Sequence, residues 1–126
     1  LATRNDGRLA HVGGTPGANI QVQTNLQLVV NAIDLKMNPQ ENAEAPRWQH
    51  LAAVGDSAAI ETGAGVLQIE DRFPYEVSAD LKERGHDVRE LPAYGHGSAV
   101  QLLEVTEDGT YIAGSDPRCE GLALGI

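Results

Sequence analysis

The longest stretch of helical periodicity runs from Ile20 to about Leu35. Its apolar residues recur three or four positions apart, the spacing that places side chains on one face of an α-helix. They are Val22, Leu26, Val29, Val30 and Ile33. Because Leu28 and Ala32 widen this face, we expect the helix to be largely buried. The polar side is rich in amides, which form either a hydrogen-bonded or solvated face or, less commonly, a polar ligand site. These amides are Gln21, Gln23, Asn25, Gln27 and Asn31.

Shorter elements surround this helix. Asn5-Asp6-Gly7 and Asp108-Gly109 are typical of β-hairpin turns. The first joins strands at residues 1–3 and 9–12, and the second joins strands at 98–105 and 110–113. Asn38-Pro39-Gln40-Glu41 predicts a capped helix that ends before Pro46. Further elements are predicted as an extended stretch at 47–50, a loop at 51–65 with a short strand near 58–61, strands at 66–70 and 87–91, and a helix at 74–84 that ends at Gly85.

Together these elements predict one α/β chain with a mainly antiparallel sheet and its helices on one face. The 126 residues suit a single domain with a modest core. The formal net charge of −9 argues against nucleic acid or an anionic membrane as the main partner. The chain has no apolar run long enough to span a membrane, and its first residues are not a signal peptide. With one cysteine, Cys119, it has no internal disulfide. The compartment stays open.

The glycine-rich stretch Gly13-Gly14-Thr15-Pro16-Gly17-Ala18 lies between the second strand and the long helix. A turn of this kind before a helix leaves backbone N–H groups unpaired, at the positive end of the helix dipole. Such a turn suits a carboxylate, a phosphate or a developing oxyanion. A strand-to-helix connector that needs glycine only for close packing explains the same residues.

Other chemistry finds little support in the sequence. The metal-binding patterns His-x-Glu, Cys-x-x-Cys and His-Glu-x-x-His are absent, as are the P-loop, the Rossmann fingerprint and the Gly-x-Ser-x-Gly elbow. Gly95-His96-Gly97-Ser98 is more typical of a tight turn before a strand than of a catalytic dyad. No metal or cofactor is therefore expected. The long helix carries no Lys or Arg near the glycines, which disfavours phosphate, whereas an oxyanion needs only neutral donors.

Several segments occur in an order and spacing that together resemble the γ-glutamyltransferase family, in the C-terminal part of its small subunit. They are Gly14-Thr15-Pro16-Gly17-Ala18, Asn38-Pro39 through Ala45-Pro46-Arg47-Trp48, Leu81 through Val88, Gly97-Ser98-Ala99-Val100, and Gly114-Ser115-Asp116-Pro117-Arg118. The resemblance covers nearly the whole chain. It implies an α+β fold, as part of the αββα four-layer sandwich of an N-terminal-nucleophile hydrolase. Residues 1–126 would then be a single partial domain.

The resemblance also implies a function. In this family a threonine at the new N-terminus of the small subunit attacks a γ-glutamyl amide, with its own α-amino group as general base. That threonine would lie upstream of Leu1, in the remaining part of the same polypeptide. Two backbone N–H groups of the glycine-rich turn form the oxyanion hole, and they match Gly17 and Ala18. We expect γ-glutamyl transfer or amide hydrolysis by the whole enzyme and no activity from this chain alone.

This sequence departs from the family pattern in the same turn. Ala18 stands where the family usually has glycine, and Asn19-Ile20 stand where its γ-glutamyl members usually have Ser-Arg. Substrate binding is assigned to Gly14, Thr15 and Asn19. Because the turn departs from the family pattern, an amidohydrolase with another amide substrate is an alternative. A non-catalytic α/β binding or scaffold module, whose turn holds a small carboxylate or nothing, is a further alternative from a different class.

Overall fold

The computed structural model describes residues 1–52 and 65–125. The strands are β1 (Ala2–Thr3), β2 (Leu9–Gly14), β3 (Trp48–Ala52), β4 (Gly65–Glu70), β5 (Asp87–Leu91), β6 (Gln101–Val105) and β7 (Tyr111–Ser115). The helices are α1 (Gln21–Ile33), α2 (Pro39–Glu44) and α3 (Tyr75–Glu83), and a 3₁₀ turn at Ala18–Ile20 precedes α1. The predicted strand near 58–61 lies outside the described residues.

These elements form two compact units. Unit 1 contains residues 1–45 and 97–125, and unit 2 contains residues 46–52 and 65–96. The predicted, mainly antiparallel strands divide between a four-stranded and a three-stranded sheet. Both predicted hairpins form, and Gly7 and Gly109 adopt φ angles of 84° and 88° in their turns. The strand predicted to begin at Ser98 begins at Gln101 instead.

Unit 1 is built on an antiparallel sheet with strand order β1-β2-β6-β7. Its core joins α1, α2 and the segment before β6 through Leu28, Ala43 and Val100. The side chain of Asn42 donates to the Leu28 carbonyl at 2.9 Å, which ties α2 to α1. At its other side α2 meets β7, where a Cβ on Gly114 would collide with the backbone of Pro39. The predicted capping box at Asn38 and Glu41 is present.

Helix α1 is less buried than its periodicity predicts. Only Thr24 and Leu28 are buried on it. The apolar side chains predicted to face the core are exposed by 77% at Val22, 56% at Leu26 and 57% at Val29. The helix has apolar residues on more than one side, and Leu28 is the one that packs into the buried core of unit 1. The expectation of a largely buried helix is thus wrong for the described residues, and a broad apolar surface is left on α1.

Unit 2 has strand order β3-β4-β5, in which β3 and β4 pair antiparallel and β4 and β5 pair parallel. The connection between the parallel strands contains α3, as parallel pairing requires a crossover. Gly85, at φ 92°, follows α3. The carboxylate of Glu70, fully buried at the end of β4, accepts the backbone N–H groups of Arg47 at 3.3 Å and His96 at 3.1 Å.

Candidate functional site

The glycine-rich stretch is divided between a strand and a loop. Gly13 and Gly14 belong to β2 and pair with Leu102 and Gln101 of β6. A Cβ on Gly13 would lie 2.8 Å from the Leu102 side chain. Close packing, the simpler of the two explanations, therefore accounts for Gly13. The open loop begins at Thr15 and turns into the 3₁₀ segment at Ala18.

Thr15 is held by the first turns of α1. The Asn25 carbonyl oxygen accepts the Thr15 hydroxyl at 3.0 Å, and the Gln21 amide donates to the Thr15 carbonyl at 2.7 Å. Asn31 likewise donates to the Asn42 side chain at 3.1 Å. The interpretation of the helix amides as a hydrogen-bonded face is confirmed at these positions. Two of these amide side chains, Gln21 and Asn25, fix the start of the loop at Thr15.

The next two peptide units have their carbonyl groups anchored. The hydroxyl of Ser98 donates to the Pro16 carbonyl at 2.5 Å, and the N–H of Ile20 donates to the Gly17 carbonyl at 3.1 Å. Ser98 is buried, and it approaches Gly17 so closely that a Cβ there would lie 3.0 Å from the Ser98 Cβ. The loop is thus closed from both sides by groups of unit 1.

The N–H groups of Gly17 and Ala18 face no internal acceptor among the described residues. Both residues have positive φ angles, 134° at Gly17 and 47° at Ala18. Ala18 is exposed and Gly17 is half-buried. Ala18 therefore adopts the left-handed conformation that favours glycine, at a cost of about 1 kcal/mol. Two successive unpaired donors before a helix are an arrangement that binds anions and oxyanions.

The surroundings of these donors are uncharged along the chain. Residues 13–33 contain no Asp, Glu, Lys or Arg. Any negative charge at Gly17 and Ala18 is therefore stabilised by backbone and helix dipoles rather than by an ion pair from this segment. The described residues contain no group of three His, Cys, Asp or Glu side chains placed to hold a metal ion.

The other residues assigned to substrate binding lie nearby. Gly14 ends β2, and the hydroxyl of Thr15 is already engaged by Asn25. Asn19 is exposed in the 3₁₀ turn, and its side chain has no hydrogen bond within the described ranges. Of the three, Asn19 offers a side chain that is open to a ligand.

Two features of unit 1 were not assigned by the sequence. The contact of Ser98 with Pro16 was not predicted, because the two residues lie 82 positions apart in the sequence. The Ser-Asp-Pro-Arg segment contains a buried ion pair, Arg118 with Asp116 at 3.0 Å.

A cavity of about 320 Å³ lies between α1 and the sheet, lined by residues such as His11, Asn25, Val29 and Leu102. Gly17 and Ala18 are not among its lining residues.

Comparison with known proteins decides the family. The family model described as Gamma-glutamyltranspeptidase matches residues 1–126. The chain belongs to the gamma-glutamyltranspeptidase family. Among curated relatives, it is 34% identical over 121 residues to the Acylase ACY 1 proenzyme of Pseudomonas sp. (strain V22), which covers 96% of this chain and 19% of that protein.

A second relative in the gamma-glutamyltranspeptidase family is the Glutathione hydrolase proenzyme of Escherichia coli (strain K12). The two are 32% identical over 113 residues, covering 90% of this chain and 17% of the relative. The crystal structure of cephalosporin acylase from Bacillus halodurans superposes with a TM-score of 0.76 at 29% identity, covering 92% of this chain and 20% of the other. The chain therefore spans about a fifth of the length of these proteins.

Family membership confirms the predicted fold class. The chain is α+β, with antiparallel pairing in all but one pair of the described strands, and it is part of an N-terminal-nucleophile hydrolase fold. It belongs to an enzyme family in which the relatives named above are proenzymes. No helix in the described ranges has the length and apolar character needed to cross a bilayer.

Proposed function

We propose that this chain supplies the oxyanion hole of an N-terminal-nucleophile enzyme that hydrolyses an amide or transfers its acyl group. The observation that carries the proposal is the pair of successive N–H groups at Gly17 and Ala18, which have no internal acceptor in the described part of the chain. Family membership and the enzyme names of the relatives support it.

The proposed mechanism uses this pair while negative charge develops on the substrate. A threonine hydroxyl from the upstream segment attacks the amide carbonyl, and its α-amino group accepts the proton. The carbonyl oxygen becomes an oxyanion, which the N–H groups of Gly17 and Ala18 stabilise. When the tetrahedral intermediate collapses, the C–N bond breaks and the amine leaves with the proton from the α-ammonium group. Water or an acceptor amine then attacks the acyl-enzyme.

The substrate class is proposed as a γ-glutamyl amide, in line with the family and the glutathione hydrolase relative. A different acyl amide is the second candidate. Asn19 and Ile20 favour it, because they replace a Ser-Arg pair with a neutral amide and an apolar side chain. The similarity to an acylase points the same way. The initial rates of the full-length enzyme on a γ-glutamyl anilide and on a matched N-acyl anilide would separate these candidates.

The remaining upstream part of the polypeptide is the proposed partner. It would contribute the nucleophile and would cover the exposed apolar side of α1, where Val22, Leu26 and Val29 lie. Burying such a surface against further layers is what stabilises a multilayer sandwich.

The direct test removes one donor and little else. Lactate in place of Ala18 converts the Gly17–Ala18 peptide bond into an ester and so deletes the Ala18 N–H. In the full-length enzyme we expect the turnover rate to fall on the order of 10²–10³, the usual loss for one oxyanion donor. Gly17→Pro would delete the neighbouring donor, but φ 134° at Gly17 is incompatible with proline, so that variant also distorts the loop. Unchanged turnover in the ester variant would contradict the oxyanion hole.

A further inference from the structure

We propose that Ser98 is a positioning residue for the oxyanion hole, in that its hydroxyl sets the direction of the Gly17 N–H. This inference rests on the proposed function of Gly17 and Ala18. Ser98 donates to the Pro16 carbonyl at 2.5 Å. Only 1% of Ser98 is exposed, so its hydroxyl is shielded from water on the donor side, whereas Pro16 is exposed.

The link between the two groups is the planarity of the peptide unit. The Pro16 carbonyl and the Gly17 N–H belong to the same peptide, and no cis bond occurs among the described residues. In a planar trans peptide the C=O and N–H bonds point in opposite directions. When Ser98 holds the carbonyl oxygen, it therefore aims the Gly17 N–H at the opposite side of the loop.

The next peptide unit, Gly17–Ala18, is also fixed by a hydrogen bond to its carbonyl, but from a different donor. The Ile20 N–H donates to the Gly17 carbonyl at 3.1 Å, and that carbonyl shares its peptide unit with the Ala18 N–H. Each proposed oxyanion donor thus belongs to a peptide whose carbonyl is anchored from behind. Ile20 anchors with its backbone, whereas the anchor for the Gly17 donor is a side chain and can be removed by substitution.

Gly17 needs such an anchor more than other residues do. Glycine adopts positive and negative φ with similar ease, so the Pro16-Gly17 peptide can rotate at little cost. A hydrogen bond to the carbonyl also polarises the peptide and strengthens its N–H as a donor. Ser98 leaves little room for a larger residue, because a Cβ on Gly17 would lie 3.1 Å from its hydroxyl oxygen.

The experiment compares Ser98→Ala, Ser98→Thr and Ser98→Cys in the full-length enzyme. Alanine deletes the donor, threonine retains it and cysteine replaces it with a weak donor. For Ser98→Ala we expect kcat to fall about 10- to 100-fold with KM within about twofold, since a misdirected donor costs less than a missing one. Ser98→Thr should recover most of the rate, and Ser98→Cys should lie between, which keeps the test available if the alanine variant does not fold.

Two control variants separate positioning from stability. Thr24→Ala deletes a buried hydroxyl that donates to the Ile20 carbonyl at 3.1 Å, at the same helix start but not on a donor peptide. Ser115→Ala deletes a buried hydroxyl with no hydrogen-bond partner in the described part of the chain. Both should retain kcat, and Thr24→Ala should lower Tm about as much as Ser98→Ala does.

Three outcomes overturn the inference: wild-type kcat in Ser98→Ala, a rise in KM alone, or an equal loss of kcat in Thr24→Ala. The ester variant at Ala18 distinguishes a failure of the positioning role of Ser98 from a failure of the proposed oxyanion hole. If it loses turnover while Ser98→Ala does not, the positioning role fails and the oxyanion hole stands. If the ester variant is as active as wild type, the proposed function itself fails.

Discussion

The guanidinium of Arg118 lies 3.0 Å from the carboxylate of Asp116, and both side chains are almost fully buried in unit 1. Arg118 also donates to the carbonyl oxygens of Ala43 and Ala45 at the end of α2. Asp116 accepts the N–H of Val100 at 2.9 Å. One buried pair therefore joins the C-terminal end of α2 to the segments that flank β6 and β7.

We expect Arg118→Met to be strongly destabilising. The substitution leaves the Asp116 carboxylate buried without its counter-ion, which costs about 3–5 kcal/mol in the free energy of unfolding. Equilibrium unfolding in urea measures the change. The matched control is Arg8→Ala, which breaks an exposed ion pair with Asp6 at 2.7 Å and should leave stability nearly unchanged. Equal effects of the two variants would contradict a structural role for the buried pair.

Ala18→Gly should stabilise the protein without loss of activity. At φ 47° alanine is strained and glycine is not, and relief of that strain outweighs the greater flexibility of the unfolded chain, for a net gain of about 0.5 kcal/mol. The Ala18 N–H is retained, so the proposed oxyanion donor is preserved. Thermal unfolding and turnover of the full-length enzyme test both points. Ala113→Gly in the extended strand β7 is the control and should be destabilising; a loss of Tm in Ala18→Gly would argue against the strain.

Local sequence patterns predicted the parts of the fold that depend on residues close together in the sequence. The Asn38 capping box, the turns at Gly7 and Gly109 and the end of α3 at Gly85 all rest on residues a few positions apart, and all were confirmed. The glycine-rich turn was located for the same reason, although its strand continues through Gly14.

Features that depend on distant parts of the chain were not predictable in this way. The pattern of α1 shows an apolar face but not which layer covers it, so its burial was wrongly predicted. The parallel pairing of β4 with β5 requires a crossover that periodicity does not reveal. Ser98 and Pro16 likewise meet only after the sheet of unit 1 has formed.

The pKa of Glu90 should lie below the ordinary value of a glutamate side chain. The hydroxyl of Ser78 at 2.8 Å, and then the ammonium of Lys82 at 3.2 Å, lower the pKa of its carboxyl group. Because the folded state favours the carboxylate, this contribution to stability is present above the ordinary pKa of glutamate. It is lost as the pH falls through the lowered value.

Ser78→Ala should therefore raise the pKa of Glu90 towards its ordinary value, as measured by carbon-13 NMR titration of the carboxyl group. Lys82→Ala should also raise it, because the ammonium group both donates to the carboxylate and attracts its charge. An unchanged titration midpoint in Ser78→Ala would show that this hydrogen bond is not maintained in solution.

The isolated chain of 126 residues should be inactive and should self-associate. It lacks the proposed nucleophile, and α1 exposes Val22, Leu26 and Val29 on one apolar face, a surface that monomeric proteins rarely leave open. Size-exclusion chromatography with light scattering, together with an assay on a γ-glutamyl anilide, measures both properties. Leu26→Lys with Val29→Lys should reduce self-association of the isolated chain and impair assembly of the full-length enzyme. Glu76→Gln with Glu83→Gln on α3 changes the charge equally, removes no apolar group and should do neither. A monodisperse, cooperatively melting monomer of the unsubstituted chain would show that the α1 face needs no covering layer.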